Sequence, residues 1–231
     1  MKRRVTDLAK KAPFYYRVRS FMDKKRHARE HREWVASGRP VPPPHLAKQD
    51  VLRAIAKEFG YRVLVETGTY YGEMIEALRN EFERLYTVEL SAYLFNLAAR
   101  RFRNSTKIHV IQGNSADKLP EILAQIHQPA LFWLDGHYSS GITACGHQDT
   151  PVLLELQAIL SAEDLGHAIV IDDARDFGSD PAYPSFADVQ SLILSKWPDR
   201  EIRISNDSIQ ITPRSREQRA PHGEQYIPSC L

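Results

Sequence analysis

The sequence predicts an α/β fold: a mostly parallel sheet of seven strands that closes in a C-terminal antiparallel hairpin, with helices on both faces. Three observations predict it. The apolar run Val63-Leu64-Val65 has the character of a strand buried on both faces, and it leads through Glu66 into a turn at Gly68 and a helix near Gly72. Short apolar strands and amphipathic helices then alternate down the chain. Finally, strand-like runs at 201–205 and 208–212 are joined only by Asn206-Asp207, which is too short for a parallel crossover.

Taken in order, His45–Phe59 reads as a helix with Val51, Leu52, Ile55 and Phe59 on one face, stopped by Gly60. The first core strand follows at 61–65, then a helix over 72–83 carrying Met74, Ile75, Leu78 and Phe82. Strand 84–89 precedes a helix at 91–103, for which Ser91 is a good N-cap. Strand 107–111 runs into Gly113-Asn114-Ser115 and a helix around 117–127. Strand 130–134 ends in Asp135-Gly136-His137, and a polar loop leads to a helix at 151–162. Strand 167–171 ends in Asp172-Asp173, and a helix at 185–197 precedes the hairpin.

The chain falls into three parts: a basic helical arm and proline-rich linker (1–45), the α/β domain (46–212) and a polar tail (213–231). Residues 1–45 carry thirteen Lys and Arg against four Asp and Glu, a balance of +9; since the whole chain stands at +2, the remainder carries −7. Such a split marks the arm as a separate physical object. Pro13 interrupts any single long helix, so two pieces or a partly ordered arm are expected. A basic arm with Phe14, Tyr15, Val18, Phe21 and Met22 fits packing across the domain or a second subunit, or a peripheral anionic membrane surface. Nucleic acid is the least supported partner, for want of an aromatic strand motif or a Cys/His finger. No apolar run reaches the ~20 residues of a membrane span, and no secretory signal pattern is present. Two cysteines, Cys145 and Cys230, make no disulfide framework. A reduced, cytoplasmic protein is expected.

Ligands of open α/β sheets bind beyond the carboxyl ends of the strands, so the residues there carry the functional argument. The first strand brings Glu66, Gly68 and the turn to Gly72. Position 70 is Tyr, which departs from the Gly-x-Gly-x-x-Gly of a pyrophosphate site, and Glu66 would favour an ammonium or sulfonium over a phosphate. The second strand brings Glu89, 21 residues after Gly68 and placed to accept from both hydroxyls of a ribose. The third brings Gly113, Asn114 and Ser115, able to read an adenine edge. Each also has a plain structural role: Gly68 as a tight turn, Glu89 as a helix N-terminal acid, Asn114 or Ser115 as a helix cap.

Glu66-Thr67-Gly68-Thr69-Tyr70-Tyr71-Gly72 resembles the first motif of class I S-adenosylmethionine-dependent methyltransferases. Leu85–Leu90 resembles that family's second-strand acidic motif, Val110–Ser115 its adenine loop, and the terminal hairpin its antiparallel seventh strand. The resemblance covers roughly residues 50–212 and implies a Rossmann-like methyltransferase fold. It implies that Glu66, Thr67, Gly68, Thr69, Tyr71 and Gly72, with Asp135, surround the methionine end of S-adenosylmethionine. Glu89 would hold the ribose, and Gly113, Asn114 and Ser115 the adenine. The chain departs from the family at Tyr70, where a third glycine is usual, and at Asn114, where Asp is common.

The fourth and fifth strands are neighbours in this fold, so Asp135, Asp172 and Asp173 converge. Three carboxylates would repel one another unless they bind a hard divalent ion, expected to be Mg²⁺. Such an ion would acidify an acceptor hydroxyl and orient it towards the sulfonium methyl. This arrangement resembles the metal-dependent O-methyltransferases, including those acting on sugars. His137 is then the natural general base, with Asp135 beside it. In the plain alternative Asp135 caps its loop, Asp173 pairs with Arg175 and no metal binds. Cys145 and His147 with His137 make only a weak soft-metal pattern, and Tyr70, Tyr71 and Tyr138 suit a pocket mouth as well as packing. The expected activity is O-methylation of a small hydroxylated acceptor such as a sugar or glycoconjugate. The alternatives are a metal-dependent hydroxylase on the same scaffold (Asp-Gly-His also resembles the cephalosporin-hydroxylase group), a nucleic-acid methyltransferase, or a non-catalytic cofactor-binding partner.

Overall fold

The computed structural model describes residues 13–135 and 151–214, with the backbone alone for 13–24. Outside the described residues lie Gly136, His137, Tyr138, Cys145, His147, Cys230 and nearly all of the polar tail. In chain order the elements are α1 (Pro13–Ala36), α2 (His45–Phe59), β1 (Val63–Thr67), α3 (Glu73–Leu78), β2 (Arg84–Glu89), α4 (Ala92–Phe102), β3 (Ile108–Gln112) and α5 (Ser115–Leu123). They continue with β4 (Ala130–Leu134), α6 (Val152–Ser161), β5 (Ala168–Ile171), a 3₁₀ turn (Ala174–Asp176), α7 (Phe186–Lys196), β6 (Arg200–Ser205) and β7 (Ser208–Pro213).

The strands form one seven-stranded sheet in the order β3-β2-β1-β4-β5-β7-β6. β7 runs antiparallel to both β5 and β6, and the other pairs are parallel. The hairpin turns at Asn206 and Asp207, both at positive φ (+48° and +56°), the geometry that matches the twist of a two-residue connection. Since the chain passes from β3 on one side of β1 to β4 on the other, the switch point of the topology lies between the carboxyl ends of β1 and β4.

Alternation along each strand splits the core in two. Val63 and Val65 join Leu119, Ile122, Leu156, Ile159, Val189 and Ile193 beneath α5, α6 and α7. Leu64 joins Leu52, Ile55, Ile75, Leu78, Ala98 and Phe102 beneath α2, α3 and α4. Apolar surface is thus removed from water on both faces, which is why the strands read as continuous apolar runs.

Some boundaries differ from the sequence expectation. From Pro13 to Ala36 the described part of the arm is a single 24-residue helix with proline at its first position; residues 1–12, on which the expected break depends, lie outside the described residues. β1 extends to Thr67 because Glu66 and Thr67 continue the ladder opposite Thr87, Val88, Trp133 and Leu134. α3 ends at Leu78 instead of 83, and α5 starts two residues early because Asn114 caps it. No described helix is long and apolar enough to cross a membrane.

Candidate functional site

The turn after β1 is a left-handed excursion held by β2. Gly68, Tyr70 and Gly72 have φ of +83°, +49° and +71°. The Gly68 and Thr69 amides donate to the Val88 carbonyl at 3.0 and 3.2 Å, and the Gly72 amide donates to the Thr69 carbonyl at 2.7 Å. A Cβ on Gly72 would lie 2.6 Å from the Phe102 ring, so glycine is required there by both space and φ. Glu89, at the end of β2, accepts from the Tyr70 amide at 2.8 Å and from the Ser91 amide at 2.9 Å. The acid that the sequence reading assigns to a ribose is thus seen to brace the turn.

Glu66 does not stand open at the entrance. It is 2% exposed, accepts from the Thr87 hydroxyl at 2.5 Å, and Thr87 in turn meets the Thr69 hydroxyl at 2.5 Å. Burial pushes its carboxyl well above the ordinary carboxylate range, against the opposing Thr87 bond. The sequence argument gave Glu66 a direct electrostatic role at the entrance; here its carboxyl is turned to Thr87. Burial also raises Glu89, opposed by the Ser91 and Tyr70 amides.

At the end of β3, Gly113 has φ +144° and Asn114 caps α5, its side-chain oxygen accepting from the Ala116 amide at 3.0 Å. Reading an adenine edge would therefore fall to the Asn114 amide nitrogen. Beneath this loop sits Glu155 of α6, 1% exposed, with one carboxylate oxygen lacking a hydrogen-bond partner among the described residues. Burial raises its pKa to about 7, opposed by the Ser115 and Thr67 hydroxyls and reinforced by Asp135. Thr67 also ties β4 to β1, since the Asp135 amide donates to its carbonyl at 3.2 Å and lies 3.3 Å from its hydroxyl.

Asp135, Asp172 and Asp173 converge: one ligand atom from each lies within 4.8 Å of the others. Two cations stand among them, of which the sequence reading named Arg175 and overlooked Lys48. Lys48, in the first turn of α2, bonds to Asp172 and lies 3.7 Å from Asp173. Arg175 donates to Asp173 at 2.9 Å and also holds Asp207 of the hairpin turn. The pairing of Asp173 with Arg175 is thus present, and the carboxylate cluster is present with it.

Charge in the cluster is unbalanced. Burial, then Asp135, raises the Asp172 pKa to about 7 despite Lys48, and its second oxygen has no hydrogen-bond partner among the described residues. Burial alone would lower Lys48, but Asp172, Asp135 and Asp173 outweigh it and raise it. Three converging carboxylates thus stand against Lys48 and Arg175, and the burial of Asp172 adds to their repulsion, so the site favours an added proton or cation. An orphaned carboxylate oxygen within three converging acids fits a hard divalent ion. Nearby, burial and the surrounding carboxylates keep the Tyr183 phenol protonated, able to donate.

α1 closes the outer side. His27 stacks on His45 at 4.7 Å, and the His27 ring and Arg26 reach Glu73, the first residue of α3, at 3.4 and 3.3 Å. Burial, then His27, lowers the His45 pKa to about 4. Lys48 and Glu155 had a signal in the sequence. Lys48 lies one turn before Leu52, and Glu155 lies among Val152, Leu156 and Ile159, so each interrupts an otherwise apolar helical stripe.

No protein-family model matches the sequence, and no curated protein matches it. Solved structures do resemble it. An O-methyltransferase from Bacillus cereus in complex with SAH superposes with a TM-score of 0.52 at 16% identity, over 77% of this chain and 86% of that one. TomG, an O-methyltransferase of Streptomyces achromogenes involved in tomaymycin synthesis, in complex with SAM, gives 0.53 at 19%, over 83% and 88%. The SAH-bound methyltransferase PaMTH1 of Podospora anserina gives 0.51 at 15%, over 73% and 78%. The chain has the Rossmann-like fold of these methyltransferases.

Proposed function

We propose that this chain is an S-adenosylmethionine-dependent O-methyltransferase acting on a small hydroxylated acceptor such as a sugar or glycoconjugate, its activity carried by residues 46–212. One observation supports the reading above the others. The glycine turn braced by Glu89 and the cluster of Asp135, Asp172 and Asp173 meet at the β1–β4 switch point, where Asp135 is bonded to Thr67. A cofactor crevice and a second, acidic crevice sharing one wall suit transfer between two bound molecules.

In this reading Glu89 accepts from the ribose hydroxyls, while the Gly68–Gly72 backbone, flanked by Thr67, Thr69 and Tyr71, shapes the methionine end. Gly113, Asn114 and Ser115 line the adenine. The acceptor oxygen attacks the methyl carbon in line with the sulfur; the carbon–sulfur bond breaks, and the sulfonium becomes a neutral thioether. His137 takes the hydroxyl proton. Asp135, Asp172 and Asp173 would hold Mg²⁺, which supplies Lewis-acid polarisation of the acceptor hydroxyl when bound. Holding acceptor and methyl donor in contact distance accounts for much of the rate.

The test is transfer of isotopically labelled methyl from S-adenosylmethionine to a panel of simple sugars and catechols, for wild type and His137→Ala. Transfer to at least one hydroxyl, slowed about 10²–10⁴-fold in the variant, is expected. Transfer confined to nitrogen or to nucleic acid, or none at all, contradicts the proposal.

A further inference from the structure

Lys48 is placed where a metal-binding site would not need a lysine. It comes from α2, outside the strand ends that supply the carboxylates, yet its ammonium bonds Asp172 and stands 3.7 Å from Asp173. The first turn of α2 is itself anchored: Gln49 bonds His45 at 2.6 Å, and His45 stacks on His27 of α1. On the far side, Arg175 is held between Asp173 and Asp207. Of the two cations, Arg175 is locked by the hairpin turn. Lys48 pairs only with the cluster's own carboxylates, at the end of a flexible four-carbon stem, and its side chain keeps 19% exposure, a path to solvent, against 37% for Arg175.

We propose that Lys48 is a built-in competitor for the divalent cation: its ammonium neutralises Asp172 and Asp173 when no metal is bound, and must withdraw for the ion to enter. This rests on the acceptor-site reading above and adds to it a control on metal occupancy. An ion entering beside Lys48 would meet a like charge at close range, at a separation where charges interact strongly even with partial screening. An ion entering after Lys48 leaves gains the carboxylates but gives up the pairing that held them. Either route weakens metal binding relative to the same carboxylates without the lysine. The site therefore binds metal loosely and reversibly, and folds without it.

The test is Mn²⁺ titration of the full-length, chelator-treated protein by calorimetry, comparing wild type, Lys48→Met and Lys48→Arg, with Asp172→Asn as the site control. Lys48→Met is expected to bind Mn²⁺ at least about tenfold more tightly than wild type. Lys48→Arg should bind no more tightly than wild type, and Asp172→Asn more weakly. A thermal melt gives a second readout: without metal Lys48→Met melts below wild type, and Mn²⁺ raises its Tm by more. Unchanged or weaker Mn²⁺ binding in Lys48→Met, or no Mn²⁺ binding by either protein, overturns the proposal. Methyl transfer that persists in chelator, alongside no Mn²⁺ binding, would sink this inference and leave the methyltransferase reading standing. Mn²⁺ competition without S-adenosylhomocysteine binding would do the reverse.

Discussion

The Tyr70 amide donates to the Glu89 carboxylate at 2.8 Å, so the residue standing where related motifs have a third glycine is tied to the acid on the next strand. Tyr70 sits at φ +49°, a left-handed conformation that costs a non-glycine residue roughly 1–2 kcal/mol. Glu89 offsets part of that cost through this bond, while its other oxygen accepts from the Ser91 amide at the start of α4. The proposed ribose ligand is therefore also the side chain that braces the turn.

From this follows the effect of Glu89→Ala. Losing two charge-assisted hydrogen bonds to a ribose, at about 1.5–2 kcal/mol each, should weaken S-adenosylhomocysteine by about 2–4 kcal/mol. Tyr70→Gly separates the two roles: it frees φ while keeping the amide and leaves affinity within about threefold. With Tyr70 48% exposed, stability should stay within about 1 kcal/mol of wild type. Calorimetry and urea unfolding check both.

Gly72→Ala should be the more damaging change at the turn. It places a Cβ 2.6 Å from the Phe102 ring and forces φ +71° on a chiral residue. A loss of about 2–4 kcal/mol is expected from overpacking and backbone strain together. Combining it with Phe102→Leu relieves only the steric part. A double-mutant cycle should show favourable coupling of at least about 0.5 kcal/mol, and strict additivity would mean that the clash is absorbed elsewhere.

Glu155 predicts a pH dependence with a definite sign. Its pKa rises from an ordinary 4.5 to about 7 on folding, so between those values the folded state binds more protons than the unfolded chain. Stability from this group is complete below pH 4.5 and is lost as pH rises through about 7. Glu155→Gln removes the titration. Its stability relative to wild type should increase between pH 4.5 and 7.5, by on the order of 3 kcal/mol. Using the difference between the two proteins matters, because His45, lowered to about 4, contributes stability that falls as pH drops below 6.5. Urea unfolding across this range in chelator gives the answer; a flat difference would mean that Glu155 is ionised and solvated.

The hairpin turn should act on the acidic site from outside. Asp207 holds Arg175, which holds Asp173. Replacing Arg175 by Met leaves both carboxylates with one cation fewer; since the Arg175 side chain is 37% exposed, solvent screening limits the expected loss to about 1–2 kcal/mol. Mn²⁺ should recover part of that loss in thermal melts.

Much of the fold was legible because the strands are short, apolar and separated by amphipathic helices. β2 and β4 fall where the apolar runs place them, and α2 runs from His45 to the left-handed Gly60. The strand-end acids could be listed from the sequence, but their partners could not. Whether a carboxylate is open or buried depends on neighbours far along the chain, as with Glu66 beneath Thr87, or Asp172 beside Lys48, 124 residues away. Lys48 and Glu155 were visible only as polar breaks in apolar stripes, a pattern that marks burial and does not name a partner.

The central claim is that the β1–β4 crevice takes a sulfonium nucleoside. Calorimetric titration of the full-length wild-type chain with S-adenosylhomocysteine, and in parallel with NAD, tests it most directly. Binding of S-adenosylhomocysteine near micromolar, about −8 kcal/mol, with no heat from NAD, is the predicted result. Tighter binding of NAD, or no binding of S-adenosylhomocysteine, would contradict it.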